Sequence, residues 1–287
     1  IEIAQEEMIK EGDLEWISID SNNGDDLVEP DGNAVRLLIS RQKPQNNNNN
    51  NSKKSILLII PGKGQVGAGI FSRRHLLTSG MEVSTALPFV REAVKTRNME
   101  VVMFDPNQIL LRSSKSKKQN SMTTVETSFQ YFVERSNNNK KEKNNDIFVL
   151  AHSMGGSQWT RYFLNNNESN NDRSALLRQI KAIAFTDSNH NINWCKDNTE
   201  VSDFLQGSCS LYIKSHKVHE DQKVLGELHH DCHFWQHRFG AIQTIWAGTN
   251  EHALTNYTAR YYIWNHFDSF LSSSSNEGEE EEEDDDD

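Results

Sequence analysis

Short, mostly apolar runs recur along this chain, separated by segments whose apolar residues return every three or four positions. Runs of this kind predict strands buried on both faces, and the longer spacing predicts helices. Ser55–Ile60 (SILLII), Glu100–Phe104, Ile147–Ala151, Lys181–Phe185 and Ala241–Ala247 are predicted strands. Val35–Ser40 is expected at a sheet edge, and Cys209–Ile213 as a shorter strand. Helical spacing covers Ala4–Ile17 (Met8, Ile9, Leu14, Trp16, Ile17), with Gly12 as an interruption. It covers Phe71–Thr78, Thr85–Arg97, Val125–Glu134, Gln158–Leu164, Ser174–Ile180 and Tyr257–Leu271 as well. Strand and helix patterns alternate, which predicts an α/β fold with a mostly parallel sheet covered on both faces.

Polar stretches divide this pattern. Ser21–Gly32 is acidic and reads as a loop; Lys43–Lys54 carries an asparagine run and reads as a disordered insertion. Leu110–Ser121 is basic and serine-rich, which predicts a solvated loop, and Asn137–Asn145 and Asn165–Asp172 are further polar insertions. The expected organisation is an N-terminal segment of residues 1–54 (helix, acidic loop and insertion), an ordered domain of residues 55–271, and a disordered acidic tail of residues 272–287.

Charge belongs to the tail. The net charge is −11, but ten acids lie within Glu277–Asp287. Without them 31 acidic residues face 30 basic ones. A near-neutral body gives no electrostatic case for a direct nucleic-acid site. The three cysteines, Cys195, Cys209 and Cys232, are irregularly spaced and fit a reducing compartment. No apolar run approaches the ~18 residues of a membrane span. The chain starts at Ile1, as expected of a fragment, which leaves open a targeting segment upstream.

Candidate chemistry lies at strand ends. Ile147–Ala151 runs into His152–Ser153–Met154–Gly155–Gly156 and then a helix. A serine on a sharp strand-to-helix turn is the nucleophile elbow of α/β-hydrolases, here with Ala151 in place of the first glycine of G-x-S-x-G. In that fold the triad runs in the order serine, acid, histidine. Asp187 ends a predicted strand and His252 follows the last one, so the candidate set is Ser153, Asp187 and His252. The histidine would take the serine proton, and the acid would orient the imidazole. Glu220 and Asp221 are rival acids, since they follow Cys209–Ile213.

The loop after SILLII, Pro61–Gly62–Lys63–Gly64, has three readings. It lacks the Lys-Ser/Thr of a P-loop, and its G-x-G-x-x-G (Gly62, Gly64, Gly67) lacks a following helix and a distant acid. It fits an oxyanion loop, with backbone N–H groups of Lys63 or Gly64 joining that of Met154. No cofactor is expected. His216, His219, His229, His230, His233 and His237 cluster around Cys232, but without an H-E-x-x-H or a CxxC they predict a surface helix, not a metal site.

Six stretches resemble the Argonaute-binding-protein-two domain family. They are Ile56–Arg74, Ala86–Val94, Val101–Asn107, Val149–Gly156, Ala182–Asn191 and Ala247–Tyr257. That family comprises the α/β-hydrolase-like domain of the fission-yeast small-interfering-RNA chaperone subunit, of a vertebrate cotranscriptional regulator, and of the C-terminal region of some fungal class II histone deacetylases. Its elbow, aspartate–serine–x–histidine–asparagine and glycine–threonine–x–x–histidine motifs fall on His152–Gly156, Asp187–Asn191 and Gly248–Thr255, with Met154 in place of an aromatic. The resemblance implies a hydrolase fold with a triad-like set. It implies work in the nucleus and cytoplasm through Argonaute, chromatin or splicing partners. The competing expectation is an active serine hydrolase on a small ester, thioester or amide.

Overall fold

Two apolar strands build the centre of the sheet. In the computed structural model, which describes residues 1–19, 34–41, 55–108, 117–138, 145–165, 170–216, 237–240 and 243–271, Ser55–Ile60 pairs in parallel with Asp146–His152. Although nearly every position is apolar, alternate side chains serve different cores, as the two-residue period of a strand requires. Leu57, Ile59, Phe148 and Leu150 enter one, and Ile56, Leu58, Ile60, Ile147 and Val149 enter the other.

In chain order the elements are α1 (Glu2–Gly12), β1 (Leu14–Ile19), β2 (Val35–Ser40), β3 (Ser55–Ile60), α2 (Arg73–Thr78), α3 (Met81–Ser84) and α4 (Leu87–Arg97). There follow β4 (Glu100–Phe104), α5 (Lys117–Asn138), β5 (Asp146–His152), α6 (Met154–Leu164), α7 (Asn170–Gln179) and β6 (Ile180–Thr186). The chain continues with α8 (Thr199–Gln206), β7 (Ser210–Lys214), β8 (Gln243–Trp246), α9 (Thr255–Thr258) and α10 (Arg260–Leu271). The eight strands form one sheet in the order β1-β2-β4-β3-β5-β6-β7-β8. β2 runs antiparallel to both its neighbours, and from β4 to β8 all pairings are parallel. This is an α/β-hydrolase fold.

Helices cover both faces. Met8 of α1, Phe89 and Val90 of α4, and Trp264 and Phe267 of α10 fill one core. Phe129 and Phe132 of α5, Trp159 and Phe163 of α6, and Leu205 of α8 fill the other. Each such side chain, fully buried, contributes roughly 1.5–3 kcal/mol before the entropy of ordering it. Arg97 ties α4 to α10 through two contacts to Asp268, at 2.6 and 2.7 Å, with its guanidinium 3.9 Å from the Trp264 ring centroid.

Four expectations change. The first helix stops at Gly12, where a Cβ would lie 2.5 Å from Val90 Cγ1, and Asp13 turns left-handed at φ 48°. Leu14–Ile19 then becomes a strand because its alternating side chains pair along β2. β2 is therefore an inner strand, not an edge. Residues 1–54 are no separate segment either, since β1 and β2 extend the same sheet. Finally, α5 reaches into both flanking polar stretches, from Lys117 to Asn138. Its period is visible only over the buried turn of Val125, Phe129 and Phe132, while the polar ends lack the glycine or proline that would stop a helix. The asparagine run and the acidic tail lie outside the described residues.

Candidate active site

The parallel strands end at one edge of the sheet, and the candidate residues collect there. β5 ends in His152, and Ser153 turns the chain into α6 with φ 54° and ψ −119°. A non-glycine residue in this region is strained by roughly 1–3 kcal/mol and persists only where its surroundings hold it. The Ser153 N–H donates to Thr186 O at 2.9 Å. Three glycines allow the chain to pass this closely. A Cβ on Gly155 would lie 2.3 Å from Ile60 O, and one on Gly156 would lie 2.0 Å from Ser188 Oγ. A Cβ on Gly62 would lie 2.8 Å from Ser153 Cβ and 3.2 Å from its Oγ. The elbow is thus wedged between the ends of β3 and β6.

Asp187 follows β6, also at positive φ (48°). Its carboxylate is 1% exposed and is surrounded by donors. Oδ1 accepts from Ser215 N–H at 2.9 Å and faces Lys214 Nζ at 2.8 Å. Oδ2 accepts from the Ser215 hydroxyl, from Thr255 Oγ1 at 3.2 Å and from His252 Nδ1 at 2.9 Å. Burial alone would raise the acid, but His252, Lys214 and Ser215 more than offset it and hold the carboxyl well below the usual carboxylate range. Asp187 is therefore ionised at neutral pH.

His252 begins a short 3-10 turn, His252–Leu254, and its side chain is 53% exposed. The bond to Asp187 commits Nδ1 and leaves Nε2 for a serine hydroxyl. Its ring stacks on His152, with centroids 4.7 Å apart and 29° between planes. His152 is buried, shares a 3.1 Å contact with Thr186 Oγ1 and meets Phe71 edge-on. Burial first, and the nearby His252 second, depress its pKa to about 3, so it packs as a neutral ring. One residue before His252, Glu251 pairs with His75 of α2 at 2.8 Å and pins the loop. Ser153 Oγ has no hydrogen bond within 3.5 Å among the described residues, so the serine–histidine contact is not formed here.

The rest of the D-S-N-H motif secures the acid turn. Ser188 Oγ bonds His190 Nδ1 at 2.7 Å, and Asn189 accepts from Ser157 of α6. His190 packs among Phe185, Tyr212 and Phe239, and burial, then Arg238, lower its pKa to about 3. The rival acids Glu220 and Asp221 lie outside the described residues. What the end of β7 brings to the site is a pair of donors, Lys214 and Ser215. Neither was visible in the sequence, because their role depends on β7 lying next to β6.

On the oxyanion side, Met154 is the first residue of α6, where amides have no acceptor within the helix. The Gly64 N–H is already given to Asn107 Oδ1 at 3.0 Å. Asn107 Nδ2 in turn donates to Gly62 O at 2.9 Å, so this side chain staples the glycine loop at both ends. That leaves the Lys63 N–H as the loop donor to consider beside Met154. Two residues before Asn107, Asp105 is half-buried, and its removal from water pushes its pKa up to about 6; the backbone N–H of Asn107, the charge of Arg36 and the backbone N–H of Ala68 moderate the rise. A cavity of about 1100 Å³ opens beside this loop, lined by Trp16, Arg36, Lys63, Gly64, Asp105 and Asn107 among others, and Ser153 is not in its wall.

Among the described residues no group of three or more His, Cys, Asp or Glu could hold a metal ion, and no helix is long and apolar enough to cross a membrane. His216 and His237 are described; His219, His229, His230, Cys232 and His233 are outside the described residues.

The Arb2 domain matches residues 45–218, a span that contains Ser153 and Asp187 and ends before His252. No curated protein matches the chain. Among solved structures, the chain is similar to an esterase from Pyrococcus furiosus at 12% identity and a TM-score of 0.47, covering 92% of this chain and 93% of that one. It is similar to a lipase/esterase from Lactobacillus plantarum (10% identity, TM-score 0.41, 90% and 99% covered). A third is fluorophosphonate-binding serine hydrolase F of Staphylococcus aureus, at 10% identity and TM-score 0.45, with 88% and 97% covered.

Proposed function

Because the chain belongs to the Arb2 domain family, we propose that it is a regulatory protein that uses its α/β-hydrolase fold to work through protein partners. By the family resemblance those partners are Argonaute, chromatin or splicing components, met in the nucleus and cytoplasm. The observation that carries this reading is the family match, which runs from before β3 to beyond β7 and so takes in the elbow and the acid loop. A fold by itself names no substrate. Affinity purification of the tagged full chain from cells tests the reading. Enrichment of an Argonaute, a chromatin protein or a splicing factor supports it; recovery of none of these sinks it.

A second reading rests on one geometric feature. Ser153 is held in a strained elbow while Asp187 and His252 are already bonded at 2.9 Å. On this reading Ser153 Oγ adds to the carbonyl carbon of an ester, thioester or amide as its proton passes to His252 Nε2. The leaving group departs with that proton, and water releases the acyl group by the reverse proton path. On the same reading the N–H groups of Met154 and Lys63 serve as oxyanion donors; a donor of this kind contributes about 10²–10³ in rate. A fluorophosphonate probe tests it. Labelling that vanishes in Ser153→Ala supports hydrolase chemistry, and an unlabelled, folded wild-type chain rules it out.

A further inference from the structure

In a serine–histidine–acid arrangement the acid's charge acts on the histidine. Here the same carboxylate also faces a fixed cation. Lys214 Nζ is 2.8 Å from Asp187 Oδ1, on the opposite oxygen from His252 Nδ1. Lys214 ends β7, and its side chain is only 22% exposed. Ser215, the next residue, supplies two further bonds to the carboxylate, so Asp187 stays anchored without the lysine.

The other groups around His252 do not duplicate this charge. From β5, His152 stacks on the ring and is neutral. From the preceding loop, Glu251 is engaged by His75 of α2. From α9, Thr255 contributes a hydroxyl to Asp187. Among these described neighbours, Lys214 is the one whose ammonium pairs with the Asp187 carboxylate.

We propose that Lys214 is a positioning residue that sets the charge state of His252: by neutralising Asp187 it leaves the carboxylate able to orient the imidazole without holding it as imidazolium. The use made of a neutral ring rests on the hydrolase reading; the electrostatics do not. A unit charge several ångströms away, in a partly solvated setting, moves the midpoint of an imidazole by roughly 0.5 to 1 pH unit, a three- to tenfold change in proton affinity.

The test is an NMR titration of the His252 imidazole in the full chain. In Lys214→Met and Lys214→Gln the midpoint rises by that amount, and Lys214→Arg, which keeps the charge, restores the wild-type value. Folded neutral variants whose midpoint does not move would overturn the proposal. So would loss of the fold in both neutral variants but not in Lys214→Arg, which would make Lys214 a structural strut. Fluorophosphonate labelling is read alongside. A shifted midpoint with no labelling leaves this proposal standing and removes the hydrolase reading, so the two fail separately.

Discussion

The acid side and the serine side of this site are built in opposite ways. Asp187 is over-supplied: Ser215, Thr255, Lys214 and His252 all turn donors on one buried carboxylate. Ser153 has a strained backbone, a hydroxyl with no partner among the described residues, and a wedge of glycines around it. One side is fixed by many specific bonds. The other is fixed by close packing, which leaves its reactive atom unengaged. An acid–histidine pair can thus be assembled before any serine contact is made, and the fold by itself does not entail turnover.

Breaking the packing has the largest expected effect. Gly156→Ala puts a methyl group 2.0 Å from Ser188 Oγ, at the seam between the two sides. The cost is about 3–4 kcal/mol, read as a lower midpoint in denaturant unfolding.

Next is the acid. Asp187→Asn removes the charge facing Lys214 and turns an acceptor into a donor toward His252 or Ser215. It costs about 3 kcal/mol at pH 7. The sign with pH follows from the depressed carboxyl. Its contribution is fully present above the unfolded-state value of about 4 and is lost as pH falls through the folded one. The gap between wild type and Asp187→Asn therefore narrows below about pH 4, as acid unfolding measured over that range would show.

Asp105 behaves in the opposite sense. Its folded pKa of about 6 lies above the unfolded value, so wild-type stability falls as pH rises from about 4 through 6 and is flat beyond. Asp105→Asn removes that slope and gains about 2 kcal/mol at pH 7 relative to pH 4, as paired melts at the two pH values would show.

The smallest change sharpens the contrast. Ser153→Gly relieves the left-handed strain at the elbow and raises stability by about 1 kcal/mol, whereas a residue at ease in its turn would lose stability on the same substitution.

How much of this was legible depended on whether the cause was local. SILLII, the β5 run and the H-S-M-G-G turn carried their structure in consecutive residues, and Asp187 and His252 were singled out because each follows a strand; the fold brings the two side chains within 2.9 Å. Leu14–Ile19 misled because Leu14, Trp16 and Ile17 suit a helix as well as a strand; pairing with β2 decided it. α8 was missed although Asn198 caps it and Val201 and Leu205 share its buried face. Lys214, Ser215 and Asn107 also follow predicted strands, but their roles come from strand neighbours far apart in the chain, which a reading of consecutive residues does not supply.

The most direct test of the two-sided account is the proton on His252 Nδ1, observed by NMR in wild type, Ser153→Ala and Asp187→Asn. If the acid side is assembled independently of the serine, the downfield signal of a hydrogen-bonded Nδ1–H persists in wild type and Ser153→Ala and is lost in Asp187→Asn. Its loss in Ser153→Ala, or its survival in Asp187→Asn, would contradict the account.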